Sequence, residues 1–503
     1  MTENHNLYHV FERQFLAAGD TPALTPYTGG PGLSYRDLAE GAARYANALL
    51  ELGIVPGDRV TVQVEKSAEN VLLYLGTLKA GGVYQPLNTA YSASELDYFI
   101  ADARPAVIVS DAASAPVARD IAGRRGGIVM TLDGRGRGEI AELAAGMPPH
   151  HETVACEPDD LAGLLYTSGT TGRSKGAMIT HRNLVSNTRA LYETWRFAPG
   201  DVLLHALPIF HVHGLYVALG TAFLNRSEIL WHQKFDADAV MRDLPRATVM
   251  MGVPTFYTRL VMRDDLTMEA CGHMRLFVSG SAPLLAETHR SFEAKTGHRI
   301  LERYGMTETC MITSNPYDGE RRAGTVGYPL PGVSVRIADE EGREVPQGEV
   351  GTIEVKGPNV FNGYWDMPEE TARSFRPDGY FITGDLGVME PDGRVSIVGR
   401  GKDLIISGGL NVYPKEVEIE LDAMDGVTES AVIGVPHPDF GESVVAVVTG
   451  NPPPEPEMIA QLSKRLAKFK VPKRIFTVPE LPRNVMGKVQ KAELRQRFAD
   501  TFK

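Results

Sequence analysis

Residues 166–176 read Tyr-Thr-Ser-Gly-Thr-Thr-Gly-Arg-Ser-Lys-Gly, and this stretch decides how the rest of the sequence is interpreted. The apolar run from Leu161 to Leu165 precedes it and predicts a buried strand that ends in a loop. Glycines let backbone N–H groups approach an anion, hydroxyls add hydrogen-bond donors, and Lys175 adds a compact positive charge. The combination predicts a loop that binds a polyphosphate.

The loop does not fit the Walker pattern of P-loop nucleotide-binding proteins. That pattern separates two glycines by four residues and continues with Lys and Ser or Thr. Counting from Gly169 places Ser174 at the second glycine, and counting from Gly172 places Ala177 there. A different class of phosphate-binding loop is therefore indicated, and a flexible surface loop is the alternative that a Thr/Ser/Gly-rich stretch alone would allow.

The size, charge and cysteine content of the chain exclude several classes of protein. Its 503 residues exceed what one hydrophobic core usually supports, so two or more domains are expected. With 51 basic and 63 acidic residues, the net charge of −12 argues against a nucleic-acid partner. The cysteines Cys156, Cys271 and Cys310 form no CxxC pair, which indicates a reducing cytoplasm. The sequence starts without a signal-peptide pattern, and histidines interrupt its most apolar stretch, so no membrane contact is expected.

Helical and strand patterns alternate through the first four-fifths of the chain. Residues 34–52 carry a helical apolar stripe, residues 60–64 alternate as a strand, and Ser92 with Glu95 forms a capping box that opens a helix. Such alternation predicts an α/β fold in which sheets of the parallel type are covered by helices. We assign this pattern to a large N-terminal domain over residues 1–399.

A smaller pattern of helices and strands begins near residue 400. Pro414 suits the first turn of a helix, and residues 429–435 and 442–448 read as strands. An apolar stripe over residues 459–469 predicts a further helix, and residues 491–498 predict a terminal one. The sequence therefore predicts a small α+β C-terminal domain over residues 400–503.

Five stretches of the sequence resemble the core motifs of the acyl-adenylating superfamily, which contains acyl-CoA synthetases, firefly luciferase and peptide-synthetase adenylation domains. In chain order they are residues 166–175, Tyr304-Gly-Met-Thr-Glu308, Tyr380-Phe-Ile-Thr-Gly-Asp385, residues 399–414 and Pro482-Arg-Asn-Val-Met-Gly-Lys488. Five matches in the family order span most of the chain, whereas one would be weak evidence. The resemblance implies a large nucleotide-binding domain and a mobile C-terminal lid that swings about a hinge at Lys402.

The resemblance also implies a two-step reaction that uses ATP, Mg²⁺ and CoA. A carboxylate attacks the α-phosphorus of ATP to give an acyl-adenylate and pyrophosphate, and a thiol then displaces AMP. Since two anions meet in the first step, cations and hydrogen-bond donors must neutralise charge at the phosphoryl group. By resemblance, Lys488 bridges the carboxylate and the α-phosphate, and Thr167 and Glu308 hold Mg²⁺. An enzyme that acetylates Lys488 is a conceivable partner.

A larger set of residues is assigned to the nucleotide and to CoA by the same resemblance. Asp385 and Arg400 are expected at the ribose, residues 281–283 and Arg303-Tyr304 beside the adenine, and Gly408-Gly409 along the pantetheine tunnel. The full predicted set is Thr167, Ser168, Gly169, Thr170, Thr171, Gly172, Lys175, Ser281, Ala282, Pro283, Arg303, Tyr304, Gly305, Met306, Thr307, Asp385, Arg400, Lys402, Gly408 and Gly409.

Two histidines in Leu207-Pro-Ile-Phe-His-Val-His-Gly214 raise the question of a metal site. His211 and His213 share one face if the segment is extended, and they would supply half of a zinc site. Zinc needs at least a third protein ligand, and no Cys or further His follows at ligand spacing, so we do not expect zinc. The resemblance instead implies that His211 lies beside the acyl pocket and the thiol tunnel, where it takes part in catalysis and substrate binding.

Three segments between the core motifs resemble malonyl-CoA synthetases, namely residues 253–259, 272–283 and 313–319. A dicarboxylate carries a second negative charge, which must be paired inside a partly desolvated pocket. An arginine fork provides that pairing, and Arg259 is the candidate because its segment matches the wall of the acyl pocket. Arg275 competes, but it precedes a strand and should lie at the far end of the sheet.

The sequence therefore favours an ATP-dependent malonate–CoA ligase. A salt bridge between Arg259 and Asp264 or Asp265 is the competing interpretation of that arginine. Methylmalonate is hard to distinguish, since one methyl group changes binding by only about 1–3 kcal/mol. A ligase for another small acid, a free-standing enzyme that loads a carrier protein and a luciferase-like oxygenase also stay open. Besides Arg259, the predicted acid-pocket residues are His211, Val212, Ser281 and Met306.

Overall fold

A computed structural model describes residues 4–29, 31–167, 174–407, 410–484 and 487–502. The strands, in chain order, are β1 (Pro22–Pro26), β2 (Leu33–Ser34), β3 (Arg59–Gln63), β4 (Val83–Pro86), β5 (Val107–Ser110), β6 (Ile128–Thr131), β7 (Leu161–Thr167), β8 (Lys175–Thr180), β9 (Val202–His205), β10 (Glu228–Trp231), β11 (Val249–Gly252), β12 (Leu276–Ser279), β13 (Leu301–Met306), β14 (Cys310–Ser314), β15 (Tyr328–Pro329), β16 (Ser334–Ala338), β17 (Gly351–Lys356), β18 (Phe381–Met389), β19 (Val395–Arg400), β20 (Ile405–Ser407), β21 (Leu410–Val412), β22 (Val427–His437), β23 (Gly441–Gly450) and β24 (Arg474–Thr477). The helices are α1 (Leu7–Ala18), α2 (Tyr35–Glu51), α3 (Ala68–Lys79), α4 (Ala93–Ala103), α5 (Ala115–Arg125), α6 (Glu139–Ala145), α7 (His181–Thr194), α8 (Leu219–Asn225), α9 (Ala237–Asp243), α10 (Pro254–Val261), α11 (Ala286–Thr296), α12 (Pro368–Ser374), α13 (Pro414–Asp422), α14 (Glu455–Leu462) and α15 (Lys491–Arg497). A π-helical turn covers His213–Ala218, and 3₁₀ turns cover Leu244–Arg246 and Gly401–Asp403.

A six-stranded sheet with the order β6-β5-β3-β4-β7-β8 forms one half of the N-terminal part. Its strands pair in parallel except for the antiparallel pair of β7 and β8. The predicted apolar stripe of α2 is confirmed, because Leu38, Ala42 and Leu49 on this helix are all buried. The capping box of Ser92 and Glu95 at the start of α4 is also confirmed.

A nine-stranded sheet with the order β15-β14-β13-β12-β11-β9-β10-β1-β2 forms the other half. The strands from β13 to β1 along this order are parallel, and both edges are antiparallel. One hydrophobic cluster contains buried residues of both sheets, such as Val60 of β3 and Leu203 of β9. The predicted α/β class with parallel sheets under helices is therefore confirmed for this part.

An antiparallel sheet with the order β16-β17-β18-β19 follows along the chain, and the alternating pattern did not predict it. Strands that are consecutive in the chain are neighbours in the sheet, and each pair is antiparallel. In this sheet β18 pairs with β19 so that Asp385 lies opposite Arg400. Two residues from separate motifs thus become cross-strand neighbours.

The C-terminal residues form their own sheet with the order β21-β20-β23-β22, and β24 pairs with β23. Two hydrophobic clusters, one containing Val417 and Val444 and the other Val445 and Leu494, lie entirely within residues 405–502. The predicted helix over residues 459–469 is wrong in its extent, because α14 ends at Leu462. The apolar residues beyond its end still pack against the first of these clusters.

The carboxyl ends of the parallel strands determine where polar residues collect. Strands β11, β12 and β13 end at Gly252, Ser279 and Met306, next to one another in the nine-stranded sheet. Strand β7 of the six-stranded sheet ends at Thr167. Sites in open α/β sheets lie at such ends, so the fold itself indicates where to look for function. Within the described part of the chain, no helix has both the length and the apolar character that a membrane span requires.

Helices α2 and α3 approach so closely that they leave no room for a side chain at Gly76. A Cβ atom built there would lie 2.5 Å from Cβ of Tyr45 and 3.0 Å from the carbonyl oxygen of Ala42. We therefore expect Gly76→Ala to lower the thermal unfolding midpoint, at a cost of about 1–3 kcal/mol for overpacking. Gly123→Ala on α5 is the matched control, since a Cβ there meets no atom within 4 Å. Equal midpoints for the two variants would contradict the close approach.

Candidate active site

Glu308 is buried in the turn between β13 and β14, beside the end of β7. The Thr167 hydroxyl donates to Glu308 Oε1 at 3.3 Å, and the Tyr364 hydroxyl donates to the same oxygen at 3.0 Å. Burial raises the pKa of Glu308 above its ordinary value, since the charged carboxylate has lost solvent. The structure thus brings together the two residues that the sequence predicted for Mg²⁺, and a cation there would favour the charged carboxylate.

Asp385 lies almost completely buried on β18 and uses both carboxylate oxygens. Arg400 on β19 contacts Oδ1 through Nε at 2.9 Å, and the Tyr304 hydroxyl donates to Oδ2 at 2.6 Å. Attraction to this carboxylate raises the pKa of Arg400. A carboxylate has about four lone-pair sites, so Asp385 keeps acceptor capacity for further hydroxyl groups. The arrangement joins three predicted nucleotide residues.

A turn carries Lys488, and hydrogen bonds between its first and last residues hold this turn together. The Gly487 N–H donates to the Asn484 carbonyl at 2.9 Å, and the Lys488 N–H donates to Asn484 Oδ1 at 3.0 Å. The Arg483 guanidinium donates to the Gly487 carbonyl. A Cβ at Gly487 would lie 3.2 Å from Cγ2 of Thr255 on α10, so this turn of the C-terminal part packs against the N-terminal part.

The side chain of Lys488 is accessible, yet charged groups of the N-terminal part act on it. Desolvation by the surrounding protein, together with the positive charges of Arg400 and Arg303, lowers the pKa of Lys488 to about 8. The carboxylates of Asp385 and Glu308 oppose this effect. The charges of the predicted ribose and Mg²⁺ residues therefore act on this amine.

Lys175 begins β8 and is buried. Its ammonium pairs with Glu370 and lies 4.9 Å from the ring centre of Tyr364. An opposite charge therefore holds this cation beside the Thr167–Glu308 pair. The predicted loop residues Ser168, Gly169, Thr170, Thr171 and Gly172, and the predicted tunnel residues Gly408 and Gly409, lie outside the described residues.

Arg303 is a buried cation on β13, with 3% of its surface exposed. Among the described residues, its Nε and Nη2 atoms have no hydrogen-bond partner. Burial lowers the pKa of Arg303 to about 9. A Cβ at Gly280 would lie 2.4 Å from the guanidinium carbon, so this glycine is what leaves room for the side chain. An unpaired buried guanidinium is costly unless a ligand supplies the missing acceptor.

The two histidines of the 207–214 segment do not lie on an extended strand. His213 begins the π-helical turn, and its Nδ1 atom is 3.3 Å from Ser281 Oγ. Burial, with the charge of Lys488, lowers the pKa of His211 to about 4, so the ring is neutral near pH 7. Within the described ranges, no group of three or more His, Cys, Asp or Glu side chains is arranged to hold a metal ion.

The two arginines considered for the acid have different surroundings. Arg275 pairs with Asp201 at 2.5 and 2.6 Å beside the first residues of β9, as its position before β12 predicts. Arg259 is exposed on α10, one helical turn beyond Thr255, which faces the Lys488 turn. Asp265 pairs with Arg263 instead, and no described residue forms an ion pair with Arg259.

The remaining predicted residues lie around these groups. Ser281 follows β12 with a φ of 72°, a left-handed conformation that costs energy in a residue other than glycine. Lys402 is exposed in the 3₁₀ turn after β19. Val212 is buried in the large core, Pro283 is exposed, and the half-buried members of the predicted set are Ala282, Gly305, Met306 and Thr307.

The sequence reasoning missed two residues that complete the site. Tyr364 donates a hydrogen bond to Glu308, and Glu370 pairs with Lys175. Both belong to the segment between β17 and β18, which carries none of the five motifs. Nothing in their spacing signals a site, because the contacts join residues far apart in the chain.

Comparisons with known proteins give the families and relatives to which the chain is similar. The AMP-binding enzyme family matches residues 11–365, and the AMP-binding enzyme C-terminal domain matches residues 416–488. A malonate–CoA ligase of Arabidopsis thaliana is 33% identical over 562 residues, with 98% of this chain and 90% of that protein covered. A feruloyl-CoA synthase of Amycolatopsis sp is 37% identical over 483 residues, with 93% and 95% covered.

The chain is also similar to solved structures over its whole length. ATP-bound MatB from Rhodopseudomonas palustris is 55% identical, both chains are covered completely, and the TM-score is 0.96. Apo MatB from the same organism is 54% identical with the same coverage, and the TM-score is 0.87. The arrangement of this chain is therefore more similar to the ATP-bound structure than to the apo structure.

Asp385→Asn tests the predicted ribose site. The substitution removes the negative charge that Arg400 and the ribose hydroxyls would share, and hydrogen bonds to charged groups contribute about 1.5–3 kcal/mol. We expect the ATP dissociation constant, measured by calorimetry, to rise about tenfold to a hundredfold. Asp392→Asn is the control, since Asp392 is an exposed carboxylate in the turn between β18 and β19. ATP affinity unchanged in Asp385→Asn would exclude a role for this carboxylate.

Proposed function

Because the chain belongs to the AMP-binding enzyme family, we propose that it is an ATP-dependent malonate–CoA ligase, which converts malonate, ATP and CoA to malonyl-CoA, AMP and diphosphate through a malonyl-adenylate. One observation carries the proposal: the turn that bears Lys488 packs against α10 of the N-terminal part, and the charges of Glu308, Asp385 and the buried Arg303 act on its amine. The likeness to a malonate–CoA ligase and to MatB supports the choice of acid.

In the first step, one carboxylate of malonate attacks the α-phosphorus of ATP and pyrophosphate leaves. The Lys488 ammonium binds both the attacking carboxylate and the α-phosphate, so it reduces their repulsion and stabilises the charge that develops at phosphorus. Asp385 and Arg400 orient the ribose. The amine must be protonated for this role, and its lowered pKa keeps it only partly so at mildly alkaline pH.

Thr167 and Glu308 fit a magnesium site. A hard divalent cation prefers carboxylate and hydroxyl oxygens together with phosphate oxygens, and these two side chains are hydrogen-bonded to each other. The positive charge of a cation bound there would also lower the pKa of Glu308, which burial raises. When bound there, Mg²⁺ supplies positive charge to the phosphate oxygens of ATP.

We place the second carboxylate of malonate at Arg303. Side chains alternate along β13, so Arg303 and Tyr304 point to opposite faces, and Tyr304 is the one that reaches Asp385. The sequence prediction put both residues beside the adenine, whereas this alternation favours the acid side for Arg303. Its unpaired guanidinium offers the fork that a buried carboxylate needs, and Arg259 on α10 adds a cation at the accessible side.

The lid assignment remains part of the proposal. Residues 400–503 would swing about the 3₁₀ turn at Lys402, bringing Lys488 in for adenylation and then taking it away for the thiol to enter. The separate hydrophobic clusters after residue 405 support a unit that moves as a body. His211 would then lie beside the incoming pantetheine.

Lys488→Ala is expected to slow formation of malonyl-AMP by about a hundredfold or more, since a charge that stabilises the transition state is lost. Thioester formation from chemically prepared malonyl-AMP should fall much less. In the unaltered chain, kcat/KM for adenylation should decrease as pH rises through about 8, because the free enzyme loses the ammonium proton there. Pyrophosphate release, measured in the variant and in the unaltered chain at a series of pH values, gives the adenylation rate and its pH dependence. An undiminished adenylation rate in the variant would refute the role of Lys488.

The proposed acid is tested with a panel of malonate, methylmalonate, acetate, propionate and ferulate, each supplied with ATP, Mg²⁺ and CoA. We expect the malonyl thioester to dominate when products are identified by mass. Arg303→Met should lower kcat/KM for malonate by about a hundredfold, since an unpaired buried carboxylate is then left in the pocket. The same variant should retain or gain activity toward acetate and propionate.

Two arginine variants complete this test. Arg259→Ala is expected to lower malonate activity less than Arg303→Met, because Arg259 is exposed and its attraction is screened. Arg263→Ala is the matched control from the loop just after the same helix, since Arg263 already pairs with Asp238 and Asp265. Equal malonate activity in Arg303→Met and the unaltered chain would overturn the assignment of the second carboxylate.

A further inference from the structure

Lys66 is a buried lysine outside the site described so far, with 5% of its surface exposed. It follows β3 of the six-stranded sheet and immediately precedes Ser67, which caps α3. Its ammonium nevertheless reaches the nine-stranded sheet. Nζ lies 2.8 Å from Nδ1 of His205, 3.0 Å from the His205 carbonyl and 2.6 Å from the His232 carbonyl.

The three contacts match the three donors of a lysine ammonium. All three acceptors are neutral, and the indole ring of Trp231 lies 4.0 Å from Nζ as additional cation–π support. Burial lowers the pKa of Lys66, and replacing a buried charged group by a well-packed apolar one is often neutral or stabilising. The arrangement therefore calls for a reason beyond filling space.

Two contacts determine which nitrogen of the neutral His205 ring carries the proton. The Lys66 ammonium can only donate, so it makes Nδ1 the acceptor and leaves the proton on Nε2. That Nε2–H faces the Gly214 carbonyl at 2.9 Å. Gly214 also accepts from the N–H of Leu219, five residues further on, which is the bond that defines a π-helical turn. His205 thus adds a second donor to the carbonyl that sets this register.

The π-helical turn begins at His213, whose ring faces Ser281 at 3.3 Å. Ser281 follows Gly280, the residue that leaves room for Arg303. A continuous path of contacts therefore leads from Lys66 through His205 and the turn to the pocket of the second carboxylate. The cation lies at the far end of this path from the substrate.

We propose that Lys66 is a positioning residue for the acid pocket: through His205 it holds the π-helical turn in the register that sets His213 against Ser281 and Arg303. The inference rests on the proposed function for the identity of the acid. It assigns Lys66 to the acid and not to the nucleotide, since the turn contacts the acid pocket while Asp385, Arg400 and Tyr304 belong to the antiparallel sheet and the far face of β13.

A purely structural role makes a different prediction, and Lys79 provides the comparison. Lys79 is a second buried lysine at the other end of α3, where it pairs with Glu12 and donates to the Thr153 hydroxyl at 3.0 Å. Lys66→Met and Lys79→Met each remove a buried cation near one end of α3. Only the first is expected to change how the acid is bound.

The experiment measures KM for malonate, KM for ATP and kcat in full-length chains, with thermal midpoints recorded for each variant. In Lys66→Met, kcat/KM for malonate should fall about tenfold to a hundredfold, as expected for a small misplacement of binding groups. KM for ATP should stay within about twofold, since ATP contacts do not depend on the turn. Lys79→Met should leave both KM values unchanged even where its midpoint falls.

Two substitutions of His205 keep the test decisive if Lys66→Met does not fold. His205→Asn retains an acceptor for Lys66, but its shorter side chain has no donor at the position of Nε2 that faces Gly214, so it should reproduce the loss of malonate binding. His205→Gln retains a donor near the position of Nε2, so its malonate binding should be stronger than that of His205→Asn. Equal losses for malonate and ATP, or wild-type malonate kinetics in His205→Asn, would overturn the proposal.

Nitrogen NMR of histidine-labelled protein separates this inference from the proposed function. The His205 ring should be protonated at Nε2 in the unaltered chain, and this preference should weaken in Lys66→Met. A chain that forms no malonyl thioester but shows this tautomer would refute the proposed acid alone. A ring protonated at Nδ1 would refute the role of Lys66, whichever acid is used.

Discussion

Charge buried without an opposite charge in contact is the condition on which this site depends. Glu308 accepts hydrogen bonds from two hydroxyl groups, and Arg303 has no carboxylate partner among the described residues. In a solvated protein such groups would collapse onto counter-ions or change their protonation state, and their pKa values shift in that direction. The fold therefore stabilises an arrangement that is unfavourable when empty and favourable when ligand charges complete it. Electrostatic preorganisation of this kind lowers the barrier, because no dipole must reorient as charge develops at phosphorus.

The topology explains how such groups are kept apart and still close to the reacting atoms. The ends of parallel strands β7, β11, β12 and β13 deliver side chains from two sheets, while the antiparallel pair of β18 and β19 delivers Asp385 and Arg400. Each of these groups is held by a strand or a strand end of the N-terminal part; Asp385 and Arg400 pair with each other, whereas Glu308 and Arg303 have no ion-pair partner among the described residues. Lys488 is the exception, since a turn in the C-terminal part carries it. The charge that the proposed lid would carry is thus the one that the proposed reaction requires at different times.

The sequence predicted much of this site because several of its contacts join short motifs. Asp385, Arg400 and Glu308 each belong to a recognisable stretch, and the structure brings them together as expected. Tyr364 and Glu370 were missed because their roles arise only when a long connection folds back onto β7 and β8. The antiparallel sheet of β16 to β19 escaped prediction for a similar reason, since strand direction depends on partners and not on apolar spacing. Helix α14 ends at Leu462, although the apolar stripe continues beyond it. The later apolar residues pack against a hydrophobic core even though the chain there is not helical.

The side on which Arg303 acts illustrates how strand geometry refines a motif. The sequence prediction put Arg303 and Tyr304 together beside the adenine, but alternation along β13 points them to opposite faces, which the proposed function assigns to the acid and to the nucleotide. The acid side is held by groups of the N-terminal part alone: Gly280 gives the guanidinium room, and the contacts of Lys66 and His205 tie the ends of β3, β9 and β10 to the turn beside it. A lid that leaves after adenylation would remove Lys488 without disturbing this pocket. The acyl group would then stay anchored by its second carboxylate while the thiol approaches, so that the same buried charge that selects the acid also retains the intermediate.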